Sequence, residues 1–166
     1  MIIAHIVGIL AMLCTLLSIQ MEHKNKYLLF QIFGAIFFAN YFFLLGGYSG
    51  VLTNSIMLLQ GIIALVYLKQ NKEVPKLVIG LLLSLTVISG FFIVNNLLDI
   101  LPLLAVIVAL IIYLQKSEKR IRYLSLIMAV WIPYAIYFQA HFSLITSIFF
   151  LISTLIAIYR YDFKKT

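Results

Sequence analysis

The sequence predicts an all-α membrane protein: seven transmembrane helices, set as two parallel three-helix bundles joined by a linker helix. Three observations carry this expectation. Of the 166 residues, 64% are hydrophobic and 10% are charged, which is more apolar surface than a soluble core of this length could hide. Apolar stretches of spanning length recur along the chain. The basic residues all fall after every second stretch.

Seven apolar segments can be marked, at 2–20, 27–46, 51–68, 77–94, 98–114, 122–139 and 142–159. Crossing a hydrocarbon core of roughly 30 Å takes about 17 to 25 residues, and each segment is close to that. Backbone polar groups in lipid must be satisfied within the segment, so each is expected to be helical. The first, "MIIAHIVGILAMLCTLLSIQ", lacks a positive n-region and a small-x-small cleavage site, so a retained span is expected rather than a signal peptide. Its Cys14 is the chain's single cysteine and has no intrachain partner. The second and third segments hold the intramembrane amides Gln31, Asn40, Asn54 and Gln60. The fourth is plain, with Ser84, Thr86 and Ser89 as its polar groups. The fifth opens near Pro102. The sixth carries Trp131, Pro133, Tyr134 and Tyr137, and the seventh carries Thr146 and Ser147.

The charges set the topology. Lys24 and Lys26 follow segment one; Lys69, Lys72 and Lys76 follow segment three. Lys116, Lys119, Arg120 and Arg122 follow segment five, and Arg160, Lys164 and Lys165 follow segment seven. Seven crossings therefore bring all 12 Lys and Arg to one side. Cytoplasmic loops carry the Lys/Arg excess, so the expectation is a multi-pass protein of the bacterial inner membrane, N-terminus outside and C-terminus cytoplasmic. The net charge of +7 is thus a topology signal, and no nucleic-acid partner is expected.

An internal repeat is expected as well. The basic connections "QMEHKNK" and "QKSEKRIR" occupy corresponding places, and "FFANYFFLLGGYSGVLTNSI" aligns with "WIPYAIYFQAHFSLITSI" so that Tyr41 meets Tyr134 and Thr53 meets Thr146. A one-residue slip then pairs Ser55-Ile56 with Ser147-Ile148 and Tyr67 with Tyr159. Two three-helix units of like orientation need one helix between them, because three crossings reverse the side. That gives bundle one at 2–68, linker helix 77–94 and bundle two at 98–159, in a single domain spanning 1–166. This is the parallel-repeat design of some transporters.

"AHIVGILAMLCTLLSIQ", "ANYFFLLGGYSGVLTNSI" and "LLDILPLLAVIVALIIY" resemble the YgjV family of bacterial inner-membrane proteins over essentially the whole chain. The most family-like run is Leu44–Asn54. Where that family typically has an Arg about six residues after the Asn, this chain has Gln60. The architecture is also similar to the SWEET sugar facilitators and the PnuC vitamin-precursor transporters. The SWEET resemblance implies prolines in the first two helices of each bundle, a pocket Asn in the third, and a Trp. Pro102, Pro133, Asn54 and Trp131 match it, while His5 and Asn40 stand where bundle one would have prolines and Thr146 and Ser147 replace the second Asn.

These residues also have a reading of their own. Pro133 lacks the N–H that would bond the carbonyl near Ala129, so it should kink helix six. Trp131, Tyr134 and Tyr137/Phe138 recur at helical spacing and share a face, offering ring surface and N–H and O–H donors. Buried amides seek the bundle interior. The expected substrate-binding set is Asn54, Trp131, Tyr134, Gln60, Asn40, Thr146 and Ser147, with Pro102 and Pro133 as hinges. Helix packing alone is the alternative for each. His5, Asp99 and His141 share the outer face and could serve a metal or a base, but no ligand spacing supports that, so no metal, cofactor or catalytic residue is assigned. No Lys for a Schiff base and no carboxylate for proton coupling lies at mid-membrane depth. The function expected is passage of a small neutral or zwitterionic metabolite by alternating access, without enzymatic activity. Its partners are the solute and the lipid bilayer, and a homo-oligomer is left open. The alternatives are a non-transport scaffold or partner subunit, or an outer-face membrane enzyme.

Overall fold

The structure, a computed structural model, describes residues 2–94 and 97–163. Lys164, Lys165 and Thr166 lie outside the described residues. All regular structure among the described residues is helical, in seven segments. They are α1 (Ile2–Ile19), α2 (Lys24–Leu44), α3 (Tyr48–Lys69), α4 (Lys76–Ile93) and α5 (Ile100–Leu114), then a broken sixth made of α6 (Glu118–Ser125), a 3-10 stretch (Leu126–Val130) and α7 (Trp131–Tyr137), and finally α8 (His141–Ile158). A π-helical turn, Tyr159–Phe163, extends α8. Among the described residues, four helices are long and apolar enough to cross a membrane: Ile2–Ile19, Lys24–Leu44, Tyr48–Lys69 and His141–Phe163. The fourth and fifth segments form shorter apolar helices, and the sixth is interrupted.

Helices two and six begin earlier than the apolar pattern alone suggests. Lys, Glu and Arg are good helix formers, and Ser117 caps α6 by accepting from the Arg120 N–H at 3.4 Å, so winding starts among the charges. The break in the sixth segment has a local cause. Pro133 removes the amide hydrogen that Ala129 would accept one turn earlier, and the preceding turn is wound as 3-10 helix. Pro102 sits elsewhere in its helix. It is the third residue of α5, inside the first turn, where a missing N–H leaves no helical bond unmade, so it opens the helix rather than bending its interior.

The helices close into a ring. α2 packs along α1 and α3; α3 meets α5; α5 meets the sixth segment, which meets α8; α8 returns to α1. α4 leans on α3 and α5, and its Leu77, Phe91 and Phe92 are at least 75% exposed, as suits a helix on the lipid side of the ring. Small residues permit close approach: a Cβ on Gly34 of α2 would lie 2.8 Å from the Thr15 hydroxyl of α1.

Two tight turns close the end opposite the basic loops. In one, Gly46 has φ 73°, the Gly47 N–H donates to the Phe42 carbonyl at 2.9 Å, and the Val51 N–H donates to Gly47 at 3.1 Å. In the other, Gln139 has φ 51°, the Ala140 N–H donates to Ala135 at 2.9 Å, and the Leu144 N–H donates to Ala140 at 2.9 Å. The basic end is tied by a buried ion pair. Arg122 meets Asp162 with Nη2 at 2.5 Å from Oδ1 and Nε at 3.2 Å from Oδ2. The two side chains are 10% and 4% exposed.

Candidate functional site

A cavity lies inside the ring, between α1–α3 on one side and α5–α8 on the other. It has about 70 Å³ of space for the centres of water-sized molecules. A single water needs about 10–15 Å³ on that measure, so the space holds several waters or a small organic solute. No charged side chain lines it.

Each wall follows from helical periodicity. On α2, Tyr27, Gln31, Gly34, Ala35, Phe38 and Phe42 turn toward the cavity, at the three- and four-residue steps of one helix face. Asn54 and Met57 contribute from α3, and Tyr113 and Ile112 from α5. Met128 and Trp131 come from the broken segment, and Ser143, Thr146, Ser147 and Phe150 from α8.

Of the residues expected from sequence, the structure brings four to this cavity: Asn54, Trp131, Thr146 and Ser147. Asn54 is 5% exposed, and its Nδ2 donates to the Gly50 carbonyl at 2.8 Å, which fixes the amide and leaves Oδ1 unengaged. Thr146 donates to Phe142 at 2.5 Å and Ser147 to Ser143 at 2.8 Å, so both hydroxyl protons are committed and oxygen lone pairs remain. The Trp131 ring stacks on Phe42, centroids 6.3 Å apart and tilted 25°.

The other three lie elsewhere. Tyr134 is fully buried one layer behind Trp131, edge to face at 5.5 Å, and its hydroxyl shares a hydrogen bond with Ser49. It braces the cavity wall instead of facing it. Gln60 is 1% exposed but off the cavity, and neither of its amide atoms has a partner among the described residues. Asn40 is exposed and donates to its own helix at Ile36, 2.8 Å; a within-helix bond satisfies it without the bundle interior. Pro133 is exposed and Pro102 buried. Tyr137 is 49% exposed, so it leaves the face shared by Trp131, Tyr134 and Phe138.

His5, Asp99 and His141 do not converge. No group of three His, Cys, Asp or Glu that could hold a metal occurs among the described residues, and His5 packs edge to face on Phe142 at 5.5 Å. Sequence reasoning left Gln31, Thr15, Tyr27, Tyr113 and Ser143 out of the site. For Gln31 a signal existed, an amide within an apolar span. For the tyrosines there was none, because Tyr27 and Tyr113 stand near the basic ends of their helices and read as interfacial.

A family model, Imp-YgjV, described as a bacterial inner membrane protein, matches residues 2–165. No curated protein and no solved structure matches the chain.

Proposed function

The chain belongs to the YgjV family of bacterial inner-membrane proteins, and on that premise we propose that it passes a small uncharged or zwitterionic metabolite across the membrane by alternating access. The observation that carries this reading is the uncharged, aromatic-walled cavity on the seam between the two halves of the ring. A protein serving packing alone gains nothing from a polar-lined void at that depth, since each unfilled volume forfeits dispersion contacts.

The reading includes seven spans, with the N-terminus outside and the C-terminus cytoplasmic, and a 3+1+3 parallel repeat. Several features support the repeat. The contact of α3 with α5 is matched by that of α8 with α1, as a two-fold axis along the membrane normal requires. The turns after Phe42 and Ala135 have the same hydrogen bonds and the same left-handed residue, at the offset that relates Tyr41 to Tyr134. At that offset Phe38 corresponds to Trp131, Asn54 to Ser147 and Met57 to Phe150, and all six line the cavity. The unslipped register fits the burial better, since Ser55 is exposed where Ser147 lines the cavity. α4 is then the linker, and the 3-10 stretch before Pro133 is the flex point of the rocking half. The protein acts as a facilitator and not as an enzyme.

Reconstitution into liposomes tests the reading. Small solutes should enter faster than into empty vesicles. Asn54→Ala or Trp131→Ala should slow entry about three- to thirtyfold, the range expected for a lost hydrogen bond or an unpaired group. Asn40→Ala should not slow entry. No solute entering above the empty-vesicle rate would defeat transport and leave a packed scaffold.

A further inference from the structure

The polar groups of the cavity are not free to turn either way, and this narrows the solute. Gln31 Nε2 donates to the Ser18 hydroxyl at 2.7 Å, and the Ser18 hydroxyl donates in turn to the Thr15 carbonyl at 2.6 Å. Because the Ser18 proton is spent on Thr15, Ser18 can only accept from Gln31, so the nitrogen of the amide must face Ser18. The Gln31 carbonyl oxygen is thereby left toward the cavity. Asn54 is oriented in the same manner by the Gly50 carbonyl. With Thr146 and Ser147 holding their protons on backbone carbonyls, four lining groups from three helices present oxygen lone pairs. The Thr15, Ser143 and Tyr113 hydroxyls can adapt. The donors that cannot also accept are the Trp131 ring N–H and the second amide hydrogens of Gln31 and Asn54.

Resting on the transport reading above, we propose that this site takes an uncharged solute that donates hydrogen bonds through N–H or O–H and presents a flat face to the rings, with Gln31 and Asn54 as its acceptors. The site should reject carboxylates, phosphates and zwitterions. An anion entering would give up its hydration for a few neutral donors, with oxygen lone pairs and ring faces of like sign around it and no Lys, Arg or His on the wall to meet it. A zwitterion would meet the same difficulty at its carboxylate and find no counter-charge at its ammonium. A neutral amide, urea or small heterocycle loses less on dehydration, regains it on the fixed oxygens, and packs against the Trp131, Phe42 and Tyr113 rings. Gln31 is the selective group because it has no counterpart in the second half. At the repeat offset its place is taken by Leu124, so the pocket is polar on one side.

Three probes of one shape separate the alternatives: benzamide (neutral donor), benzoate (anion) and benzylammonium (cation). Their binding to the purified full chain can be followed by calorimetry and their entry into proteoliposomes by flux. Benzamide should bind and enter, and benzoate should do neither. Gln31→Leu should weaken benzamide about three- to tenfold, the loss of one hydrogen bond, with at most a small drop in melting from the lost bond to Ser18. Gln31→Glu should invert the preference, admitting benzylammonium at least tenfold better than benzamide above the carboxyl's titration. A side chain that only braced α1 against α2 would not produce that inversion. The assignment is overturned if benzoate binds as well as benzamide, if Gln31→Leu is silent, or if the intact protein binds none of the three. The two readings fail separately. Flux of an anion or zwitterion through the wild type defeats the solute class and leaves transport standing. Benzamide that binds without entering faster than in empty vesicles defeats transport and leaves the binding class.

Discussion

The buried ion pair at the basic end allows a quantitative test of how the second half of the ring is held together, since it ties α6 to the turn beyond α8. Arg122 lies in the last turn of α6, and Asp162 lies on the π-helical turn beyond α8. At 2.5 Å the Coulomb attraction is about 6–7 kcal/mol for an effective dielectric of about 20. Dehydrating the two groups costs several kcal/mol each, so the intact pair contributes little net stability. Removing one partner is different, because the other charge stays nearly buried without a counterion, a loss of about 3–5 kcal/mol. Arg122→Met and Asp162→Leu should each lower the melting temperature in detergent by roughly 6–20 °C, at about 2–4 °C per kcal/mol for a chain of this length. The double variant should recover most of that loss. The cycle should therefore show a coupling well above 1 kcal/mol. The competing outcome is that the terminal turn simply unwinds and hands Asp162 to water. Single variants that melt within 1 °C of the wild type, with additive effects in the double, would refute the interlock and show that Tyr159–Phe163 is held by something else.

Further expectations are independent of it. Gly50→Ala would place a Cβ 2.5 Å from the Phe42 ring, and displacing that ring should cost about 1–3 kcal/mol, read as an earlier thermal transition with weaker Trp131 stacking by near-UV dichroism. Reporter fusions after Lys69 and after Thr166 should both read cytoplasmic, and a fusion in the Gly46–Gly47 turn periplasmic; a periplasmic signal at Thr166 would discard the seven-span topology. The Lys116 ammonium, 2.5 Å away and hydrogen-bonded, holds the exposed Glu73 carboxyl below its ordinary value. A depressed carboxyl stabilises the fold at neutral pH and loses that contribution as acid protonates it. Because both groups are in water the effect is screened: Glu73→Gln should leave melting at pH 7 unchanged, and a clear loss would mean that the loop ion pair matters more than its exposure allows.

Much of this protein can be read from the chain alone. Apolar runs of spanning length must be helical in lipid, because the backbone has no other partner there, and seven helical segments are found. Pro133 announced the break in the sixth. The Gly-Gly turn was visible as well, because turn residues are the places where such a sequence varies. The faces of the helices were not visible. In a soluble helix the polar side marks solvent and the apolar side marks core, but here lipid and core are both apolar, so the pattern does not say which way a residue points. Asn54, Gln60 and Asn40 are the same kind of signal in sequence. Tertiary packing sends Asn54 to the cavity, buries Gln60 off it and turns Asn40 outward. The same ambiguity hid Gln31, whose role depends on Ser18 and Thr15 one helix away. An amide's position within a span follows from the chain; the group it meets there depends on which helices become neighbours, and close packing of small residues such as Gly34 against Thr15 settles that only once the ring has closed.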